Sequence, residues 1–327
     1  AWRAPAEASF LVDTNPARAE NLFFSAFHYR PADANATELA AGFTDRDDFE
    51  FIELMNRGSQ TINLSGVEFI DGVTFNFSTA AIRSLAPGTR VLIVKNLAAF
   101  EQRYGSLFSS QIAGEYSGNL SNDGELITLV DATGSNILSF TYNDQSPWPE
   151  EPDGDSYTLV LINPTGQPIP EHGDPSSWRA SASPGGSPGD TGSSNYNDWK
   201  IANGLPIPEI DADPDRDGRD NLLEYFEGTN PNSSDLASGT IASEPLTPDG
   251  IADEYIVFRF RRNLTADDVS LAPQISDELN NWLEGPANIV LHERTRISNI
   301  QENLVFRSIS PSRSESQKFG RLKLQLK

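Results

Sequence analysis

The sequence predicts a mainly β protein, and three observations support this. Short apolar segments alternate with period two, turn dipeptides such as Asp71-Gly72 and Pro87-Gly88 separate them, and helical periodicity is rare. Many short strands joined by Gly/Pro turns indicate a sandwich or barrel of about 150 residues. The strands predicted in this part are 21–29, 49–54, 67–70, 74–77, 90–94, 126–130, 137–142 and 158–162.

Helices are predicted at three places. In residues 97–104, Leu97, Phe100 and Tyr104 fall on one helical face. A second helix is predicted near 195–203, and a third over 221–227, where Gly228 ends it. The remaining segment returns to strands, predicted at 256–261, 288–292, 305–309 and 320–326.

The twelve residues from Asp213 to Glu224 match a calcium loop of the EF-hand kind. Such a loop carries oxygen ligands at positions 1, 3, 5, 7, 9 and 12 and a glycine at position 6, here Gly218. A hard cation prefers six to eight oxygens, and one tight turn supplies them. An acidic surface turn before a short helix is the alternative. The predicted Ca²⁺ ligands are Asp213, Asp215, Asp217, the backbone carbonyl of Arg219, Asn221 and Glu224.

Charge and composition limit the function classes. The 24 Lys and Arg against 47 Asp and Glu give a net charge of −23. Residues 1–254 carry 13 basic and 39 acidic residues, whereas 255–327 carry 11 and 8. An acidic body repels phosphate backbones, so nucleic-acid binding is not expected. The chain has no cysteine, which excludes disulfides and thiolate sites, and no apolar run approaches the length of a membrane span.

The predicted organisation has five parts. Residues 1–20 form a strand, at 9–12, or a remnant of an upstream domain, because the chain begins Ala1-Trp2-Arg3 like a piece of a longer precursor. The other parts are a β sandwich at 21–180, a Gly/Ser/Pro linker at 181–194, a calcium module at 195–235 and a C-terminal β domain at 236–327.

Residues 21–189 resemble the lamin tail domain, an immunoglobulin-like sandwich, in its bacterial extracellular version. The similar stretches, in order, are Glu50-Phe51-Ile52-Glu53-Leu54-Met55-Asn56, Leu64-Ser65-Gly66-Val67, Leu85-Ala86-Pro87-Gly88, Leu120-Ser121-Asn122-Asp123-Gly124-Glu125, Trp148-Pro149, Asp153-Gly154, Trp178 and Ser187-Pro188-Gly189. The resemblance implies a binding or structural module without a catalytic set, which is an argument at the level of the fold.

Residues 211–231, which end Glu227-Gly228-Thr229-Asn230-Pro231, resemble the Asp-rich repeats of dockerin and thrombospondin type 3 modules. The C-terminal segment is similar to terminal β domains of large secreted bacterial proteins. The whole layout resembles that of very large cell-surface proteins, some with a spore-coat-kinase-like domain, of which no motif lies in this sequence. These resemblances imply a secreted, cell-surface location.

The sequence contains only weak matches to catalytic motifs. Gly185-Gly186-Ser187-Pro188-Gly189 fits G-x-S-x-G, but a nucleophile elbow needs the backbone N–H of the residue after the serine, and Pro188 has none. His28, His172 and His292 lie far apart and show no metal spacing. His28 is interpreted as a hydrogen-bonded core or edge residue and His172 as a loop residue.

Two further acidic clusters have two interpretations each. Asp45, Asp47 and Asp48 near Glu50 form a second calcium site or a solvated turn, and residues 150–155 allow the same alternatives. Paired carboxylates for glycoside hydrolysis need one acid with a raised pKa in a pocket, to which nothing in the sequence points. The tryptophans Trp148 and Trp178 are predicted in the core, and Trp199 is predicted to pack the calcium module; exposed tryptophans that bind carbohydrate are the alternative.

We therefore expect a non-enzymatic structural or adhesive module of a bacterial surface protein, stabilised by calcium. The partner is either the chain itself, in head-to-tail fibres or a surface layer, or another surface protein or polysaccharide. The 9–12 strand, which could add to a neighbour's sheet, and the basic C-terminal segment motivate self-assembly. The alternatives are a carbohydrate- or protein-binding module attached to a secreted enzyme, and an enzyme acting on polysaccharide.

Overall fold

Strands form most of the regular structure, as the turn-punctuated sequence predicts. The structure, a computed structural model, describes residues 15–164, 169–189, 196–205, 212–234, 239–248, 250, 252–266, 268–298, 300–312 and 318–326. The chain divides into two compact units, Ala1–Thr191 and Gly192–Lys327. The predicted strand at 9–12 lies outside the described residues.

Two main sheets and one small sheet build the first unit. The main sheets have the strand orders β13-β12-β2-β3-β8-β9 and β11-β10-β5-β6, and the small one has the order β1-β4-β7. The strands are β1 (Asn15–Pro16), β2 (Leu22–His28), β3 (Phe51–Asn56), β4 (Ile62–Asn63), β5 (Glu68–Asp71), β6 (Phe75–Asn76), β7 (Ser84–Leu85), β8 (Arg90–Val94), β9 (Ile112–Glu115), β10 (Leu126–Val130), β11 (Asn136–Thr141), β12 (Leu159–Leu161) and β13 (Trp178–Ala180). Its helices are α1 (Ala36–Ala40) and α2 (Leu97–Tyr104), with 3₁₀ turns at Arg46–Phe49, Phe77–Thr79, Ser106–Gln111 and Pro175–Ser177.

An apolar core fills the space between the two main sheets. Ile52 and Leu54 of β3 enter it from one sheet, and Ile127 and Leu129 of β10 enter it from the other. Trp148 and Trp178 lie in the same core, which confirms their predicted position. This mainly β sandwich agrees with the predicted immunoglobulin-like fold class.

Strand β3 is buried along its whole length, although its sequence alternates like that of a half-exposed strand. Its second face is covered by α2, since Phe51 packs with Phe100 and Tyr104 in a separate apolar cluster. Helix α2 has the predicted bounds. Its N-cap is Asn96, whose side chain accepts a hydrogen bond from the Ala99 N–H, and Gly105 at φ 84° ends it.

A linker was predicted at 181–194, but residues 181–189 are part of the first unit. The Ser181 N–H donates to the Thr158 carbonyl at 2.8 Å, and the Gly189 N–H donates to Oε2 of the buried Glu53 at 2.7 Å. A Gly/Ser/Pro composition predicts a flexible segment, but hydrogen bonds to distant residues hold this stretch. Residues 15–20 are also part of the sandwich, since β1 pairs in parallel with β4 and Ala17 lies in the core.

The second unit contains two helices and six strands among its described residues. One sheet has the order β14-β15-β18-β17, and β16 pairs with β19. Its core includes Tyr225 and Phe226 from α4, together with residues of β15, β16, β17 and β18. The predicted calcium module and C-terminal β domain therefore lie in one unit and share a core. The elements are α3 (Tyr196–Ala202), α4 (Asn221–Glu227), β14 (Thr240–Leu246), β15 (Asp253–Asn263), β16 (Val269–Ser276), β17 (Ile289–Ser298), β18 (Gln301–Ser308) and β19 (Phe319–Leu326).

Two strands of the second unit have no counterpart among the predicted strands, and each contains a proline. Strand β14 contains Pro245 and is an edge strand, the position at which a sheet tolerates proline. Strand β16 contains Pro273 and pairs with β19. Their backbone pairing, which the sequence pattern does not reveal, holds them in the sheets.

Glu50, between the 3₁₀ turn and β3, is a buried acid in the sandwich. Its Oε2 accepts hydrogen bonds from the Tyr116 hydroxyl at 2.7 Å and from the Leu120 N–H at 3.0 Å. Burial nevertheless raises the pKa of the Glu50 carboxyl from 4.5 to about 8. The folded protein therefore binds this proton more tightly than the unfolded chain does.

We predict that Glu50 makes the first unit less stable as the pH rises. Its contribution is complete below pH 4.5 and is lost as the pH rises through 8, since the unfolded chain releases the proton first. One pKa unit is worth about 1.4 kcal/mol, so this group should remove more than about 2 kcal/mol over that range. Urea unfolding of the wild type and of Glu50→Gln across this range measures the difference. A parallel pH dependence of the two proteins would contradict the prediction.

Candidate metal centre

The loop from Asp213 to Asp220 is shaped by hydrogen bonds to its own carboxylates. Oδ2 of Asp213 accepts from the Gly218 N–H at 2.9 Å, and Oδ1 of Asp217 accepts from the Arg219 N–H at 2.9 Å. Gly218 has φ 91°, a conformation that glycine adopts without strain. It is the glycine that the calcium-loop pattern requires at position 6.

Three of the predicted ligands converge in this loop. One carboxylate oxygen each of Asp213, Asp215 and Asp217 lies within 4.8 Å of the others. Across the described ranges this is the only group of three or more acidic or histidine side chains with that geometry. Calcium is bound by several oxygens at about 2.3–2.6 Å, so oxygens spaced in this way can share one ion.

Helix α4 carries the two remaining side chains predicted as ligands. Its N-cap Asp220 accepts from the Leu223 N–H at 2.8 Å, and the Asn221 N–H donates back to the Ala212 carbonyl at 2.8 Å. Asn221 and Glu224 are buried at the start of this helix. The structure thus places the predicted ligands Asn221 and Glu224 on α4, directly after the aspartate loop.

Glu224 is the decisive residue of the site. Its side chain is 0% exposed, and neither carboxylate oxygen has a hydrogen-bond partner among the residues that the structure describes. Burial, and then repulsion from Asp215 and Asp217, raises the pKa of Glu224 to about 7, while Arg219 acts in the opposite direction. A buried acid without a partner carries a large desolvation cost, and a cation in the loop would remove it.

The other buried glutamates of the described chain show how unusual Glu224 is. Glu38 pairs with Arg103, Glu53 with Arg90, Glu227 with Arg219, and Glu302 with Arg262. Glu50 accepts the two hydrogen bonds described above. Within the part that the structure describes, only Glu224 among them has neither an ion pair nor a hydrogen bond. The residues present therefore fit a bound calcium ion, to which the loop would supply Asp213, Asp215, Asp217, Asn221, Glu224 and the Arg219 carbonyl.

Aromatic and polar contacts fix this site to the second unit. Trp199 of α3 packs on Tyr196 and Tyr225, with ring centroids 5.8 and 5.4 Å away, so it contacts α4, which carries Tyr225. Asp268 accepts hydrogen bonds from the Tyr225 hydroxyl at 2.6 Å and from the Tyr196 N–H at 2.8 Å. Asp268 does not stand out in the sequence, because no local pattern joins it to tyrosines 43 and 72 residues away.

The two other acidic clusters, at 45–48 and 150–155, do not resemble this site. Oδ2 of Asp47 accepts from Asn119 and Oδ1 of Asp48 accepts from Asn96, whereas Asp45 accepts from the Asp47 N–H. These three carboxylates do not meet the convergence found at Asp213 within the described residues. In the 150–155 cluster, Asp153 forms an ion pair with Arg30.

The histidines of the first unit are core residues. His28 is buried, and its Nδ1 lies 3.2 Å from the Tyr104 hydroxyl, which confirms the prediction of a hydrogen-bonded core position. His172 lies in a loop as predicted, but it is buried with its ring 4.9 Å from that of Phe23. Burial lowers the pKa of His28 to about 3 and that of His172 to about 4, so both are neutral at physiological pH.

The family comparison concerns the first unit. Residues 15–144 match the family model of the Lamin Tail Domain. The match lies in the sandwich and does not reach the candidate metal centre, which begins at Asp213. The lamin tail domain is a non-catalytic immunoglobulin-like module, and its match supports a structural or interaction role for this part of the chain.

Comparisons with curated proteins and with solved structures found no match. A search of the described residues for helices finds none with the length and apolar character that membrane crossing requires.

We predict that Glu224→Gln weakens calcium binding at least about tenfold, because the amide supplies one neutral oxygen where a carboxylate can bind with two. Competition with a chromophoric chelator measures the affinity. Asp277→Asn is the matched control, since it removes one negative charge from an exposed position of the same unit. Equal calcium affinity in Glu224→Gln and the control would contradict the assignment of Glu224 as a ligand.

Proposed function

We propose that this chain is a non-enzymatic, extracellular structural or adhesive module of a large bacterial surface protein, with a second unit stabilised by calcium. Two observations carry this proposal: three aspartates converge in the loop, and Glu224, a buried carboxylate without a hydrogen-bond partner among the described residues, follows them on α4. A ligand that binds only the folded state stabilises it by RT ln(1 + [L]/Kd). Calcium would thus contribute directly to the folding of residues 192–327.

The extracellular location rests on this use of calcium. Extracellular calcium modules work with dissociation constants of about 10⁻⁴–10⁻³ M, and the repeats that the loop resembles belong to secreted proteins. The chain contains no cysteine, so calcium supplies a cross-link of the kind that disulfides give other secreted domains. The acidic composition also favours divalent cations over nucleic acid.

The structural role is supported by the lamin tail match and by the surroundings of the residues considered for catalysis. Ser187 is exposed and precedes the buried Pro188, which has no N–H to stabilise an oxyanion. Both histidines of the first unit are packed in aromatic surroundings. We therefore propose that the chain has no hydrolytic activity.

The carbohydrate-binding alternative has less support. Trp148 and Trp178 lie in the sandwich core, and Trp199 packs against two tyrosines. These three tryptophans thus contribute to packing instead of to a flat surface on which a sugar ring stacks. Self-assembly stays a prediction, since the strand that motivated it, 9–12, lies outside the described residues.

We expect removal of calcium to destabilise the second unit and leave the first unit folded. At a calcium concentration a hundred times Kd, the ion contributes about 2.7 kcal/mol. Limited proteolysis with and without chelator, followed by mass spectrometry, should show cleavage within 192–327 and a persistent fragment from 15–189. The effect should be small in Glu224→Gln and unchanged in Asp277→Asn. Identical digestion patterns of the wild type in both conditions would refute calcium stabilisation.

We also predict that the full chain hydrolyses no ester or glycan in a substrate panel. Ser187→Ala should leave the background rate of each substrate unchanged, because Ser187 lacks the oxyanion donor described above. Hydrolysis by the wild type that disappears in Ser187→Ala would show that the chain is an enzyme.

A further inference from the structure

A buried ion pair lies next to the candidate calcium site. Arg219, at position 7 of the loop, pairs with Glu227, the last residue of α4. The side chains are only 6% and 2% exposed. The calcium-loop pattern uses the backbone carbonyl of Arg219 as a ligand at position 7. It requires neither the Arg219 guanidinium nor the Glu227 carboxylate.

Glu224 and Glu227 are both buried and lie three positions apart on α4, so they are neighbours on one face of this helix. The guanidinium that pairs with Glu227 therefore lies about one helical turn from Glu224. Two buried carboxylates thus lie near one buried cation, and only Glu227 forms an ion pair with it. Without Glu227, the guanidinium would be left buried and uncompensated, which is strongly unfavourable.

The carboxylate of Glu227 also lies close to the β sheet, next to the backbone of Gly239. A Cβ atom at Gly239, one residue before β14, would lie 3.5 Å from Glu227 Oε1 and 3.2 Å from the Arg259 carbonyl of β15. After the helix, a Cβ at Gly228 would lie 3.3 Å from the Cβ of Asn263. The end of α4 is therefore packed closely against the sheet, and this packing restricts where Glu227 can place its charge.

We propose that Glu227 is a positioning residue of the calcium site, which holds the Arg219 side chain away from Glu224. This inference rests on the proposed calcium site. When Glu227 is present, Arg219 can offer its carbonyl to the ion while its side-chain charge is neutralised within the unit. When Glu227 is absent, the guanidinium turns to Glu224, the buried carboxylate without a partner, and competes with calcium for it.

The proposal predicts an asymmetry between the two partners. Glu227→Gln should weaken calcium binding at least about tenfold, which corresponds to about 1.4 kcal/mol. Arg219→Leu removes the competing cation and keeps the backbone carbonyl, so it should bind calcium at least as tightly as the wild type. The double variant Arg219→Leu/Glu227→Leu should behave like Arg219→Leu, because apolar residues often replace a buried ion pair without loss of stability.

Calcium affinity of the full chain, measured by chelator competition near neutral pH, tests this. The matched control is Glu302→Gln, which removes another buried glutamate of the second unit, one that lies near Arg262 and Arg294. It should lower the melting temperature without changing calcium affinity. If the ion pair only stabilised the fold, Glu227→Gln and Arg219→Leu would weaken binding to a similar extent, and this result would overturn the proposal.

Each further outcome is also decisive. Wild type that binds calcium with the same affinity as Glu227→Gln overturns the positioning role alone, whereas wild type that binds no calcium overturns the proposed function as well. If Glu227→Gln does not fold, Arg219→Leu decides: affinity equal to or above that of the wild type supports the proposal, and a tenfold loss contradicts it.

Discussion

A buried carboxyl group without a partner among the described residues is the constraint that sets the second unit apart. Glu224 lies at the start of α4, and the same short helix places Tyr225 and Phe226 in the core of the strands that follow. The carboxylate cannot move to solvent without displacing these aromatic side chains, since all three residues share two turns of one helix. A cation at the aspartate loop would satisfy this carboxylate and leave the apolar packing intact, and the proposed metal binding would in this way be linked to the folding of the unit.

The first unit satisfies its buried acids with its own groups. Glu38 lies against Arg103, whose guanidinium also stacks on the Phe49 ring at 3.4 Å from the ring centroid. The Glu53 carboxylate forms an ion pair with Arg90 and accepts hydrogen bonds from the Ser25 hydroxyl and the Gly189 N–H. The bond from Gly189 attaches this segment to the sheet that contains β3. Burial raises the pKa of Glu50, whose Oε2 accepts two hydrogen bonds. Each of these three buried acids thus has a partner among the described residues of the first unit.

The two units thus differ in how their buried acidic side chains are paired. The lamin tail match covers residues 15–144 of the first unit, where Glu38 and Glu53 each form an ion pair with an arginine. Under the proposed function, the part with the aspartate loop would bind an external ion, and its stability would then follow the concentration of that ion. Under the proposed function, the second unit would be more stable where calcium is abundant than where it is scarce.

The sequence by itself determined the local features. The bounds of α2, β8, β10 and α4, the glycine after α4 and the six candidate ligand positions all follow from patterns within a few residues, because caps, alternation and loop spacing are local properties. Only the tertiary structure decided what joins distant residues. It showed that residues 181–189 attach to Glu53, that the proline-containing β14 and β16 are strands, and that Arg219 is neutralised by Glu227. Burial decided the state of Glu50 and Glu224, because the cost of a buried charge depends on which groups surround it, and residues far apart in the sequence supply those groups.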